Sequence, residues 1–129
     1  IDSIRAVNPR CAFIFITNND SYRRVGHGKY SVNTNGLLAR DVFYLLAADT
    51  KGAVWDQFLV MGGLRSMDRW RQADLAQSDR VHFTRQGYEL LGDLLFTALL
   101  EPLLVPPPHT PLAPCPKDTF HERHPYISY

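Results

Sequence analysis

The run Cys11-Ala12-Phe13-Ile14-Phe15-Ile16-Thr17 constrains this chain more than any other stretch, because it is apolar without a break up to the threonine. A strand made of such residues has no polar face to show to water. It therefore belongs to a sheet covered on both faces, as in a parallel sheet flanked by helices. Residues 36–49 follow with Leu37, Leu38, Val42, Leu45 and Leu46 at helical spacing and Arg40 and Asp41 on the other side, the pattern of an amphipathic helix. Asn35 is its expected N-cap, and Lys51-Gly52 its end. Ala53-Val54-Trp55 then reads as a second short strand. Strand, helix and strand in this order indicate an α/β protein with a parallel sheet.

The remaining segments fit around that unit. Asp2 to Val7 reads as the end of a helix stopped at Asn8-Pro9, since a residue before proline is pushed out of the helical region. Residues 18–35 are polar, contain Gly26 and Gly28, and read as a long loop at the carboxyl end of the first strand, the edge where open α/β sheets build their sites. Asp56 to Gly63 reads as a loop with one apolar turn. Ser66 to Ala76 is expected as a short helix capped by Ser66, with Trp70 inward. Thr84 should cap a last helix to about Leu100, buried along Tyr88, Leu91, Leu95, Ala98 and Leu99 and stopped by Pro102.

From Glu101 the composition changes: eight of the nine prolines lie there and glycine is absent. Residues 1–103 are therefore expected to be the folded unit and 104–129 a proline-rich tail with no core of its own. Two strands are too few for a stable sheet and the chain does not begin with Met, so further sequence is expected before Ile1.

Charge and composition exclude several classes. A net charge of +1 gives no electrostatic basis for holding nucleic acid or an anionic membrane, and Arg23, Arg24, Lys29 and Arg40 are scattered as solvated charges would be. No apolar run is long enough to span a bilayer, and Ile1-Asp2-Ser3-Ile4-Arg5 has no signal-peptide character. Cys11 opens a strand and Cys115 lies in the tail, so two separate thiols are expected rather than a disulfide. Cys115, His121 and His124 match no zinc module, and neither a metal nor another cofactor is expected. Nothing in the sequence bears on oligomeric state.

The chemistry-bearing feature is Asp79-Arg80-Val81-His82 just before the last helix. A histidine serves as general base near neutral pH when an acceptor holds one ring nitrogen, leaving the other free to take a proton. An aspartate three residues earlier, across a turn, is within reach of the nearer nitrogen. Taken alone the pattern belongs far more often to a solvated helix start. One internal nucleophile must be weighed: Ser21 of Asn19-Asp20-Ser21-Tyr22 follows an apolar strand, as activated serines do. Against it, asparagine stands where a sharp turn wants glycine, and a side-chain-capped turn is the commoner use of Asp20-Ser21. Asn19 and Tyr22 are milder candidates for substrate contact. Trp55 and Trp70 could line a sugar cleft, although buried packing is the commoner role.

The run from Asp79 through Thr84, Gly87 and Tyr88 into an apolar helix resembles the final block of the SGNH or GDSL hydrolases. Ala53 to Asp56, Met61-Gly62-Gly63 and Ser66 to Trp70 are similar to the preceding stretch in bacterial members related to carbohydrate and peptidoglycan O-acetylesterases, as is Cys11 to Arg24. The resemblance covers about residues 1–100. It implies a three-layer α/β/α sandwich whose N-terminal part precedes this chain, and a metal-free Ser-His-Asp esterase. In that scheme His82 is the base, Asp79 its orienting acid, and the serine and oxyanion donors lie upstream of Ile1. It also implies an acylated small molecule or glycan as substrate and a periplasmic or secreted location. The competing expectation is a non-catalytic binding module on a remnant of the fold, with Pro106-Pro107-Pro108 as a partner ligand.

Overall fold

A computed structural model describes residues 1–104. Helix α1 (Asp2–Val7) leads into β1 (Ile14–Ile16), and the hairpin β2 (Tyr22–Gly26) and β3 (Lys29–Val32) precedes helix α2 (Asn35–Thr50). Strand β4 (Ala53–Trp55), the single turn α3 (Gln57–Val60), α4 (Ser66–Gln72) and α5 (Arg85–Leu104) complete the order. β1 and β4 pair in parallel, Ile14 opposite Ala53 and Ile16 opposite Trp55, with α2 as the crossover packed on both strands. The expected parallel unit is present. The left-handed Lys51 (φ 52°) ends α2, its N–H and that of Gly52 returning to the carbonyls of the last turn.

The expected double coverage of β1 is not met within the described residues: Ile14 and Ile16 stay exposed, at 50% and 43%. The expected loop at 18–35 is in fact mostly the β2–β3 hairpin, antiparallel with Tyr22 opposite Val32 and Arg24 opposite Tyr30. Its turn uses Gly28 at φ +68°, a conformation that glycine adopts without steric cost. Tyr22, Tyr30 and Val32 face the core, while Arg23, Lys29 and Ser31 alternate outward.

That core gathers Tyr22, Met61, Met67, Trp70, Ala76, Phe83 and Leu91, with Trp55 against it. Full burial of a side chain such as Met67 or Phe83 contributes roughly 1.5–3 kcal/mol. Trp70 takes the packing role rather than a surface one: it is buried, its indole N–H donates to the Met61 carbonyl at 3.0 Å, and Phe83 meets it edge-on at 5.4 Å. Along α5, Leu91 is buried and Leu95 and Ala98 are half-buried, but Tyr88 and Leu99 are exposed. Tyr88 lies on the flank of the stripe and touches Phe83 by its ring edge, 5.3 Å between centroids.

Four helix ends differ from expectation. Thr34, not Asn35, occupies the N-cap position of α2 and makes no side-chain cap; Asn35 is already helical. Arg65, left-handed at φ 69°, precedes α4, and the wholly buried Ser66 is its first residue; the Met67 N–H there is satisfied by the buried Asp20 carboxylate at 2.9 Å. α4 also stops at Gln72 rather than Ala76, whose residue pairs with Phe83 instead. α5 passes Pro102 and ends at Leu104.

Arg40 is not a solvated charge. It lies on the inward side of α2, and its Nε donates to Asp56 Oδ2 at 2.6 Å. Tyr44 donates to the same oxygen at 2.8 Å, while Oδ1 accepts from Thr17 Oγ1 at 3.1 Å and from the Leu59 N–H at 3.0 Å. Burial opposes ionisation of Asp56, yet the Leu59 N–H, the Tyr44 hydroxyl and the Arg40 guanidinium outweigh it and hold the carboxyl below the usual range. The network ties the carboxyl ends of β1 and β4 to α2 and caps α3.

Candidate active site

Residues 76–84 form a closed loop beside the core. Its stem is the bridge between Ala76 and Phe83, extended by the Thr84 N–H to the Leu75 carbonyl at 3.0 Å. Inside it, the Gln77 N–H donates to the His82 carbonyl at 2.8 Å and the Gln77 amide to the Phe83 carbonyl at 3.0 Å. Thr84 caps α5 as expected, its Oγ1 accepting from the Gly87 N–H at 3.2 Å. The loop thus starts and ends on buried residues, and its tip stands in solvent.

At the tip, Asp79 and His82 meet. Asp79 Oδ1 accepts the Val81 and His82 N–H groups at 3.0 and 3.1 Å, and Oδ2 lies 2.7 Å from His82 Nδ1. A carboxylate can only accept, so in the neutral imidazole this contact places the proton on Nδ1 and leaves Nε2 with its lone pair. The hydrogen bonds from the His82 ring and its backbone N–H hold the Asp79 carboxyl at about 2, well below the usual range. The two side chains are 62% and 45% exposed, and no hydrogen bond to Nε2 forms among the described residues. The couple is an oriented imidazole presenting a basic nitrogen outward.

The segment after β1 supports the loop from below. Asn19 donates from Nδ2 to the Val81 carbonyl at 3.0 Å and to the Asp20 carbonyl at 2.8 Å, and the Tyr22 N–H donates to the Arg80 carbonyl at 3.1 Å. Asn19 therefore braces the loop carrying the pair. Tyr22 is buried, so its side chain belongs to the core rather than to a substrate-facing surface. Ser21 is held elsewhere: its Oγ accepts from Asn33 Nδ2 at 3.2 Å, and it makes no hydrogen bond with His82 among the described residues. Residues not singled out from the sequence as site residues also matter here. Gln77 and Arg80 shape the loop through contacts that no short motif encodes, and Asp20 joins the Asn19 segment to the start of α4. Among the described residues no group of three or more His, Cys, Asp or Glu side chains could hold a metal ion; Cys115, His121 and His124 lie outside them. No helix among them is long and apolar enough to cross a membrane.

Against solved structures, the chain superposes on a peptidoglycan O-acetylesterase with a TM-score of 0.69 and 23% identity, over 78% of this chain and 29% of that one. Over that length the two chains share a fold. A second esterase, the domain of the ZfL2-1 ORF1 protein from the zebrafish ZfL2-1 retrotransposon, matches with a TM-score of 0.54 and 19% identity, over 78% of this chain and 52% of that one. The chain thus spans less than a third of one esterase and about half of the other. No protein-family profile and no curated protein matches it.

Proposed function

We propose that residues 1–103 are the C-terminal, base-bearing part of an acyl-ester hydrolase acting on O-acetyl groups of a carbohydrate or cell-wall glycan. The nucleophilic serine and the oxyanion donors come from sequence preceding these 129 residues. The serine oxygen attacks the ester carbonyl as His82 Nε2 takes its proton, and Asp79 stabilises the imidazolium that results. His82 then returns the proton to the departing alcohol, and later activates the water that hydrolyses the acyl-enzyme. The mechanism calls for no metal or other cofactor. The acetyl group and the glycan rest on the neighbour that is a peptidoglycan O-acetylesterase, and a periplasmic or secreted location follows from that substrate alone. The proline-rich tail expected from the sequence lies, from residue 105 onward, outside the described residues.

The observation that carries this reading is the 2.7 Å contact between Asp79 and His82 Nδ1, with Nε2 left open to solvent. The test compares hydrolysis of an acetylated chromogenic ester by the product extended through its preceding coding sequence and by its His82→Ala variant. The variant should lose at least about two orders of magnitude in rate, the scale of general-base catalysis. A fluorophosphonate probe should label a serine outside residues 1–129. Full activity in the variant, or labelling of Ser21, would refute the proposal.

A further inference from the structure

We infer that Arg80 is the positioning residue of the pair: its guanidinium, clamped between Tyr22 and Tyr30, holds the bend that brings Asp79 onto His82. Arg80 sits at φ +59°, in the left-handed region. An L-residue there meets steric strain between its Cβ and the following carbonyl oxygen, and arginine lacks the short polar side chain that lets asparagine or aspartate compensate locally. In this bend Asp79 Oδ1 accepts the N–H groups of both Val81 and His82, with Oδ2 on the ring.

What holds it comes from outside the loop. The guanidinium carbon lies 5.2 Å from the Tyr22 ring centroid and 4.6 Å from that of Tyr30, one ring on each strand of the hairpin. Nε lies 3.3 Å from Asp68 on α4, and the Arg80 carbonyl accepts the Tyr22 N–H. Burial and the hydrogen bond to Asp68 raise the Tyr22 phenol to about 12, so the ring that Arg80 covers stays neutral. Two cation–π contacts on a guanidinium largely withdrawn from water act against that backbone strain. The hairpin and α4 thereby fix the direction of the imidazole from two elements that do not touch it. Lysine cannot reproduce this, because a compact ammonium neither stacks on two rings nor forks toward a carboxylate.

The test reads the His82 tautomer in the 129-residue chain by long-range 1H–15N correlation at neutral pH, with the Trp70 indole N–H as an internal marker of the folded core. The inference rests on the esterase reading only for what the pair is used for; ester turnover is not the readout, so failure of that reading leaves this result intact. In the native chain His82 should be the Nδ1–H tautomer. Arg80→Gly, which admits the left-handed bend freely but lacks the clamp, and Arg80→Lys should both shift His82 toward Nε2–H with the Trp70 signal unmoved. Tyr30→Leu, which keeps Arg80 and removes one ring, should shift it partway. A native Nε2–H tautomer would overturn the inference, as would Arg80→Gly or Arg80→Lys retaining the native tautomer. Should Arg80→Gly unfold, Arg80→Lys and Tyr30→Leu decide the matter.

Discussion

Replacing Gly87 by alanine should unfold this domain more readily than its place in a helix suggests. A Cβ at Gly87 would lie 1.9 Å from the Leu75 carbonyl oxygen, 2.9 Å from its carbon and 3.1 Å from Phe83 Cβ. Ordinary contact needs about 3.5 Å, so the start of α5 must retreat by roughly 1.5 Å from a backbone that cannot rotate away. Such overpacking costs about 3 kcal/mol, at the upper end of the usual range. Alanine's helix propensity returns about 1 kcal/mol, leaving a net loss of about 2 kcal/mol or more. In urea, with a slope of about 2 kcal/mol per molar, the midpoint should fall by roughly 1 M. Gly92→Ala on the same helix is the control. A Cβ there meets nothing within 4 Å, so that variant should gain about 0.5–1 kcal/mol. A Gly87→Ala midpoint at or above the native one would refute the reasoning. The same retreat would also pull Thr84 from Leu75 and open the stem beneath His82.

Arg40→Met should lower stability by about 2 kcal/mol, the scale of a charge-assisted hydrogen bond withdrawn from a buried carboxylate. Denaturant midpoints measure this, and an unchanged value would show that the Asp56 network is already satisfied without the guanidinium. Asp79, held at about 2 against an ordinary 3.8, contributes stability that is complete above pH 3.8 and lost as pH falls through about 2. Because both partners are exposed, the amount is below about 1 kcal/mol. Acid titration of native and Asp79→Asn chains should show a gap that closes over that window; a gap widening toward low pH would have the wrong sign.

What could be read from the sequence was local or strongly patterned. The parallel pairing of β1 with β4 follows from unbroken apolarity separated by one amphipathic helix, and Asp79 and His82 meet across three residues. The hairpin was missed because its strands are short and rich in arginine, so that Tyr22, Tyr30 and Val32 alternating on one face were outweighed by the polar residues between them. Arg40 was misplaced because a lone cation on a helix reads as solvated, whereas its partner lies sixteen residues on, past β4. For the same reason, nothing in the spacing of residues 79–82 marks Asn19 or Arg80 as supports: their contacts join segments some sixty residues apart.

The stem formed by Ala76 and Phe83 gives the acid and base an unusual economy. Closing so short a circuit forfeits little chain freedom, since that penalty grows with the number of residues enclosed. The couple is in effect a portable cassette, grafted on a helix start and a patch of aromatic floor. Sequence variants that rebuild the chain away from this loop, the tyrosines beneath it and the Asn19 brace would leave the Asp79–His82 contact standing.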